Sequence, residues 1–340
     1  MKNKVIGVLD MCGFKWVTPF VRMVSGEDSR EQMRQIAFTA GIPLVAILIF
    51  LGMWSVTASK IDTSLGKLPG PMAVLTQVKF LTTEYFDERR KAREFHQKQV
   101  DRNAQILTED PKAEVKIRKY TGKPTYLDQI FTSLLTVFTG FFIASVIALP
   151  VGVICGLSRT AMTAFNPFIQ IFKPISPLAW LPLVTMVVSA LYTKPNDMFP
   201  KSFVVSAITV SLCSLWPTLI NTALGVASLD KDYINVSRVL QLGHITKVFK
   251  VVIPASLPYI FAGLRISLGV GWMVLIASEM LAQNPGLGKF VWDEFQNGSS
   301  ESLAKILVAV FTIGIIGFIL DRVMVTLQKA VSFNQESISV

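Results

Sequence analysis

The chain is poor in the residues from which catalytic and metal sites are usually built. Two histidines, His96 and His244, stand far apart in 340 residues, so neither a histidine triad nor a histidine metal cluster is expected. The three cysteines, Cys12, Cys155 and Cys213, lack metal-ligand spacing and two of them fall inside apolar runs, which argues against a zinc site and a disulfide framework. Charge is scarce too. Asp, Glu, Lys and Arg make up 16% of the chain, against about 25% in a soluble domain, and the deficit points to lipid as the solvent. No G-x-x-x-x-G-K-[ST] run occurs, and Gly286-Leu-Gly-Lys289 has neither the spacing nor a following Ser or Thr. The chain by itself is therefore not expected to cradle nucleotide phosphates. At the amino terminus, Val5 to Val8 is too short an apolar core for a secretory signal, and Asp10 interrupts it. The apolar runs carry no paired carboxylates and no activated nucleophile, which disfavours a membrane enzyme.

What the sequence does have is apolar length. Hydrophobic residues make up 51% and the mean hydropathy is +0.49. Residues 36–59, 129–158, 174–193, 202–227, 257–281 and 303–320 are each long enough, at about 1.5 Å per residue, to cross most or all of about 30 Å of hydrocarbon. They predict about six transmembrane helices in an all-α polytopic membrane protein. In the second run Gly152 and Gly156 lie four apart, a small-residue face that permits close helix approach. Pro174, Pro177 and Pro182 crowd the start of the third. Lys305, near one end of the sixth, is placed to snorkel.

The formal charge of +10 reads as a positive-inside bias and not as a nucleic-acid surface, since no basic patch is interleaved with aromatics. With the amino terminus inside, Arg159, Lys173, Lys231, Arg238, Lys247, Lys250, Arg322 and Lys329 fall on the inner side, against Lys194, Lys201 and Lys289 in the outer short loops. Both termini are therefore expected in the cytoplasm. The resulting division is an N-terminal cytoplasmic segment (1–35), a first span (36–59), a charged extramembrane insertion on the periplasmic side (60–128), a transmembrane core (129–330) and a tail (331–340). The insertion, with sparse apolar positions at Phe86, Phe95, Val100 and Ile106, predicts a solvated helix; it is either a spacer or a docking surface for a soluble partner.

Between the fourth and fifth runs the inner loop has the pattern of two short helices. Ser228 or Asp230 can cap a helix beginning near Lys231. Val236, Val239, Leu240 and Gly243 fall at i, i+3, i+4 and i+7 on one stripe. Gly243 suits a left-handed helix end, Thr246 can cap a second helix, and Pro254 is expected to stop it. The product is an amphipathic elbow over 229–254 whose apolar face needs a cover, from this protein's own spans or from a soluble partner.

Gly243 followed by Ile253-Pro254 resembles the "EAA…G…I-x-LP" loop of binding-protein-dependent ABC importer permeases, with Ser237, Arg238 and Val239 where that family usually has Glu-Ala-Ala. Phe172-Lys-Pro-Ile-Ser-Pro-Leu-Ala-Trp-Leu-Pro182, Leu257-Pro-Tyr-Ile-Phe-Ala-Gly-Leu-Arg265 and Glu279-Met-Leu-Ala-Gln-Asn-Pro-Gly-Leu-Gly288 are similar to the nitrate/taurine/bicarbonate group. Lys289-Phe-Val-Trp-Asp-Glu-Phe-Gln-Asn-Gly298 is most like nitrate permeases. The resemblance covers roughly 129–330. It implies a type I ABC importer permease fold with cytoplasmic coupling helices, in a bacterial inner membrane, working as a permease homodimer. ABC ATPase subunits would hold the ATP and Mg, no cofactor would sit on this chain, and a periplasmic or lipid-anchored substrate-binding protein would deliver a small anion. Nitrate or nitrite leads; bicarbonate, cyanate and sulfonates such as taurine stay open, and an ATP-independent anion carrier is the rival from another class. Ser237, Arg238, Val239, Gly243, Ile253 and Pro254 are the candidate coupling residues.

Arg265, Trp180, Pro177 and Glu279 are the candidates for the translocation pathway. Arg265 is a cation inside a span: it either snorkels or gives the pathway a positive lining. Glu279 lies fourteen residues on and about 21 Å away along a helix, too far to pair with it. A structural hydrogen bond or a partner contact suits it better than substrate contact. Trp180 would be a gate or wall beside the proline-rich start of the third run, and Asn284-Pro-Gly-Leu-Gly288 is expected to dip back at the outer mouth.

Overall fold

The computed structural model describes residues 18–24, 29–63, 66–110, 115–118, 120–193, 199–230, 232, 235, 237 and 239–336. Helices dominate. In chain order they are α1 (Thr18–Val24), α2 (Ser29–Ile36), α3 (Ile42–Lys60), α4 (Pro71–Glu109), α5 (Tyr126–Leu157), α6 (Arg159–Phe172), α7 (Pro177–Leu191), α8 (Lys201–Ala227), α9 (His244–Lys247), α10 (Ile253–Ala282), α11 (Leu287–Asn297) and α12 (Ser300–Glu336). A two-stranded antiparallel ribbon, β1 (Asp62–Thr63) with β2 (Gly66–Lys67), separates α3 from α4.

Among the described residues five helical stretches are long and apolar enough to span a bilayer: Met33–Lys60, Tyr126–Leu157, Lys201–Ala227, His244–Ala282 and Glu301–Val331. A sixth span exists if α6 and α7 count as one, and these are bent by 101° at their junction. The third run, expected over 174–193, holds α7, and the bend lies at its start: the chain leaves α6 at Phe172, turns through Pro174, and restarts at Pro177 with Ser176 Oγ accepting from the Leu178 amide at 3.3 Å. Pro177 sits where a helix tolerates proline, in its first turn. With 15 residues, α7 is about 22 Å long and falls short of the hydrocarbon thickness by itself.

Small residues set the packing of the bundle. Gly140, Ala144, Ala148, Gly152 and Gly156 recur every fourth position along α5 and face α8. A Cβ on Gly152 would stand 2.7 Å from Thr222 Cβ and 2.9 Å from the Leu219 carbonyl; on Gly156, 2.5 Å from Val226 Cβ; on Gly140, 2.6 Å from the Ala207 carbonyl. The contacts advance together along both helices, so α5 and α8 run parallel with their backbones nearly touching. On its other side α8 runs antiparallel to α10, where Gly225 meets Tyr259, Gly263 meets Asn221, and Ser267 Oγ donates to the Ser214 carbonyl. The main core, with Val137, Val210, Trp272, Leu275 and Leu287, lies where these helices meet α11 and α12.

The 60–128 stretch is largely the 39-residue α4, about 58 Å long. Its first turns belong to the bundle: Val74 and Leu81 are buried in the main core. Lys305 does not snorkel. It sits 3.5 Å from Glu294 Oε1 and 5.6 Å over the Phe80 ring, tying α4, α11 and α12 together. Farther out the chain returns along α4: the Arg118 amide donates to Gln99 Oε1 at 2.6 Å and Tyr120 donates to Glu88 Oε1 at 2.7 Å. That bond holds the Glu88 carboxyl below its ordinary value and raises the Tyr120 phenol.

Replacing Gly152 by leucine is expected to push α5 off α8, at a cost of about 1–3 kcal/mol for overpacking. Thermal unfolding in detergent would read it as a clear loss of stability. Gly314→Ala, where an added Cβ meets nothing within 4 Å, is the matched control and should be neutral.

Candidate functional site

The elbow begins where α8 ends. Ser228 Oγ donates to the Gly225 carbonyl at 3.1 Å, while Asp230 Oδ1 accepts from the Asp232 amide at 3.2 Å. Of the two capping residues expected, Asp230 is the one that does it. Asp232, Asn235, Ser237 and Val239 are helical; Arg238 and Val236 lie outside the described residues. The helix end differs from expectation. Gln241 takes the left-handed conformation, φ 49°, and the Leu242 amide reaches back to the Ser237 carbonyl at 3.0 Å, the six-to-one bond of a Schellman end. Gly243 is extended (φ −60°, ψ 154°) and caps α9 at its start, a place the sequence reading gave to Thr246.

Pro254 does not stop the second helix either. Helix runs from His244 to Ala282 as one 39-residue piece, because Val248–Val252 forms a wide π turn whose five-residue bond joins the Ile253 amide to the Val248 carbonyl. The wider turn relieves the clash a proline ring makes with the carbonyl four residues back. The second half of the elbow, from His244, is therefore continuous with α10, while the turn at Gln241 separates it from the first half.

It is seated by Val252, 1% exposed, which packs with Val153 and Val226 and with Leu229, Val248 and Ile253. Ser237 is buried as well. The outward face is left open: Val239, Leu240, Ile245 and Phe249 are 82%, 63%, 75% and 67% exposed. The bundle does not cover this face. An added Cβ on Gly243 would likewise meet nothing within 4 Å.

The four pathway candidates are not brought together. Glu279 is fully buried and hydrogen-bonded, as the structural reading of it expected. Ser133 Oγ on α5 donates to its carboxyl at 2.8 and 2.9 Å, and the Gly288 amide donates to Oε2 at 3.0 Å. The Leu287 amide donates to Ser133 Oγ at 2.9 Å, and Asn284 Nδ2 to Thr136 Oγ1 at 3.2 Å. A Cβ on Gly286 would overlap the Glu279 carboxyl, and one on Gly288 would overlap the Ile276 carbonyl. The Asn284-Pro-Gly-Leu-Gly288 turn does fold back, and Glu279 is the peg it folds onto. Ser133 is an ordinary serine in an apolar run, and nothing local in the sequence marks it.

Arg265 does not stand alone. Its Nε and Nη2 donate to Asp321 Oδ1 and Oδ2 of α12 at 2.6 and 3.2 Å, and Arg322 Nη2 donates to the same carboxylate at 3.1 Å. Asp321, just past the predicted end of the sixth run, was readable as an acid at membrane depth and was passed over. Trp180 is half-buried and stacks on Phe172 at 5.8 Å, which stacks on Trp216 at 6.1 Å. The stack sits at the α6–α7 bend. Pro177 opens α7 beside it. Among the described residues no group of three or more His, Cys, Asp and Glu could hold a metal ion.

A helical bundle in lipid, with a rigid helical joint left uncovered at one end, has the layout of a membrane transport subunit. Residues 148–333 match the family described as the binding-protein-dependent transport system inner membrane component, and the chain belongs to that family. It is 30% identical over 291 residues to the nitrate import permease protein NrtB of Synechococcus elongatus, covering 85% of this chain and 88% of that one. It is 32% identical over 289 residues to NrtB of Synechocystis, with the same coverage. To the bicarbonate transport system permease protein CmpB of Synechococcus elongatus it is 33% identical over 289 residues, again 85% and 88%. Among solved structures, an inward-facing crystal form of the MetNI methionine ABC transporter superposes with a TM-score of 0.53 at 16% identity, over 61% of this chain and 95% of that one. The chain is a permease with the type I ABC importer fold.

Glu279→Gln would present an amide where Ser133 and Gly288 need an acceptor, and Ser133→Ala would strip the carboxyl of its hydroxyl. Each is expected to cost about 1–3 kcal/mol of stability. The double variant should lose less than the sum, because both act on one network. A double-mutant cycle in thermal unfolding checks this.

Proposed function

We propose that this permease forms the pathway of an ATP-driven importer for a small anion, nitrate in the first place, and that the 229–254 elbow is where ATPase subunits grip it. The observation that carries the reading is the exposed apolar surface of Ile245 and Phe249, on the helix continuous with α10, together with Val239 and Leu240 just before the turn that precedes it. An apolar face of that kind in water calls for a partner's groove. Ser237, Gly243, Ile253 and Pro254 belong to the same joint, the last two as its passage into the bilayer, and Arg238 is proposed with them from its place in the sequence. Both termini then lie in the cytoplasm and α4 lies outside. Hydrolysis belongs to partner subunits, since the chain has no phosphate-cradling motif.

Two copies would enclose the pathway. Uncharged faces on α7 (Leu178, Leu183, Met186) and α10 (Tyr259, Ile266, Met273) support that arrangement. A binding protein would deliver the anion to the outer end. Closing of the ATPases would move the elbows, and with them α10, as rigid bodies. Nitrate is favoured by the NrtB relatives and by the Lys289–Gly298 segment; bicarbonate is the second reading, on the CmpB likeness.

The test is co-purification with the ATPase subunits, followed by uptake of labelled nitrate into proteoliposomes with bicarbonate, cyanate and taurine as competitors. Phe249→Asp or Ile245→Asp should cut ATPase association at least on the order of tenfold, as expected for a central contact. Gly243→Val, whose Cβ would meet nothing within 4 Å, should weaken association chiefly through the partner. Undiminished association in all three would defeat the coupling reading; preferential uptake of bicarbonate would defeat nitrate alone.

A further inference from the structure

Between α10 and α12, on the elbow side of the bundle, lies a cavity of about 200 Å³ bounded by Arg265, Asp321, Trp272, Gly269 and Gly317 among others. Its size follows from the two glycines. An added Cβ on Gly317 would stand 3.1 Å from the Trp272 ring, and one on Gly269 would meet only open space. The Trp272 indole N–H is engaged by the Ile313 carbonyl at 3.0 Å, so the ring is a wall and not a donor. The donors come from the guanidinium. Asp321 takes two of the five N–H bonds of Arg265, which leaves three.

Charge points the same way. Asp321 is one carboxylate shared between two guanidiniums, Arg265 and Arg322, so the cluster carries one net positive charge. Arg322 Nε is buried with no partner, and its guanidinium lies 5.3 Å over the Phe318 ring. The side chains of Arg265, Asp321 and Arg322 are 39%, 35% and 40% exposed, so the surplus positive charge is open to a diffusible anion. The volume is several times the roughly 30 Å³ a water occupies in the liquid, enough for a planar oxyanion and its remaining hydration.

We propose that this cavity is an oxyanion site. Arg265 supplies the fork, Arg322 the balancing charge, and Asp321 acts as a resident counter-anion that holds Arg265 in place and limits how tightly the ligand stays. The inference rests on the anion-permease reading and assigns that reading a place in the fold. The oxygens it binds belong either to the transported anion or to a phospholipid phosphate; the chemistry is shared, and the experiment separates the two.

The two halves of one ion pair are predicted to act in opposite directions. In the purified complex with its ATPase subunits, sodium nitrate and sodium bicarbonate are titrated calorimetrically, and retained phospholipid is measured by native mass spectrometry. Arg265→Gln should weaken anion binding at least on the order of tenfold. Asp321→Asn, which leaves both guanidiniums, should tighten it and slow turnover. Arg265→Lys, which keeps the charge and loses the fork, should fall between, and stands in should the glutamine variant fail to assemble. The same order in the titrations supports a transport site; the same order in retained phospholipid supports a phosphate site for lipid. Should Arg265→Gln and Asp321→Asn shift both readouts in the same direction, or not at all, the pair is structural and the proposal falls. Failure of the nitrate reading looks different: wild-type uptake then follows bicarbonate while the variant order persists.

Discussion

The contact between α5 and α8 is the one on which the bundle depends. Lipid gives no hydrophobic reward for bringing helices together, so association must come from close packing and polar contacts between them. Alanine or glycine every fourth residue from Gly140 to Gly156 lets two parallel backbones approach until a Cβ would overlap the opposite carbonyl. Once α8 is held there, its other face is fixed as a template for α10, and Gly225, Gly263 and Ser267 repeat the same close approach in the antiparallel sense. Core, turn and elbow are hung on this three-helix stack.

A second constraint explains where the polar residues went. Backbone and side-chain polar groups inside a bilayer have to find partners within the protein. Glu279 finds Ser133 and the Gly288 amide, and in doing so pins the α10–α11 turn to α5. Arg265 finds Asp321, and so ties α10 to α12. Both residues looked like pathway candidates because both are charged and within a span. One proves to be a fastener with no exposed surface. The other is a fastener that still has donors and a cavity beside it.

How far the sequence disclosed this depends on whether the deciding interaction was local. Span positions were legible because length and the absence of charge are local: the predicted 202–227 run matches Lys201–Ala227 almost to the residue. The small-residue face at Gly152 and Gly156 was legible for the same reason, and its extension to Gly140 could have been read by the same rule. The 101° break at the start of the third run was not, because three prolines mark an irregularity without fixing its angle. Nor could partners distant in sequence be read: Ser133 with Glu279 and Asp321 with Arg265 are 146 and 56 residues apart. The helix end at Gly243 was misplaced by a sound rule. Glycine is the usual left-handed residue, but here Gln241 takes the strained position two residues earlier and glycine begins the next helix.

That shift matters for how force could pass through the molecule. A glycine hinge followed by a proline stop would have made the elbow a loose hook, free to swing without moving the bundle. Instead, Val248–Val252 carries the helix through Pro254 as a π turn, and His244 to Ala282 is one rod of 39 residues, about 58 Å from end to end. One end bears Ile245 and Phe249 in the open, the middle bears Arg265 beside the cavity, and the far end bears Glu279 locked into the α10–α11 turn. A displacement at Ile245 and Phe249 would be carried along this helix toward its contacts with α12 and α8. The Arg265–Asp321 pair bridges one of those contacts, and a sliding of α10 against α12 would change its geometry before that of any buried group higher up the rod.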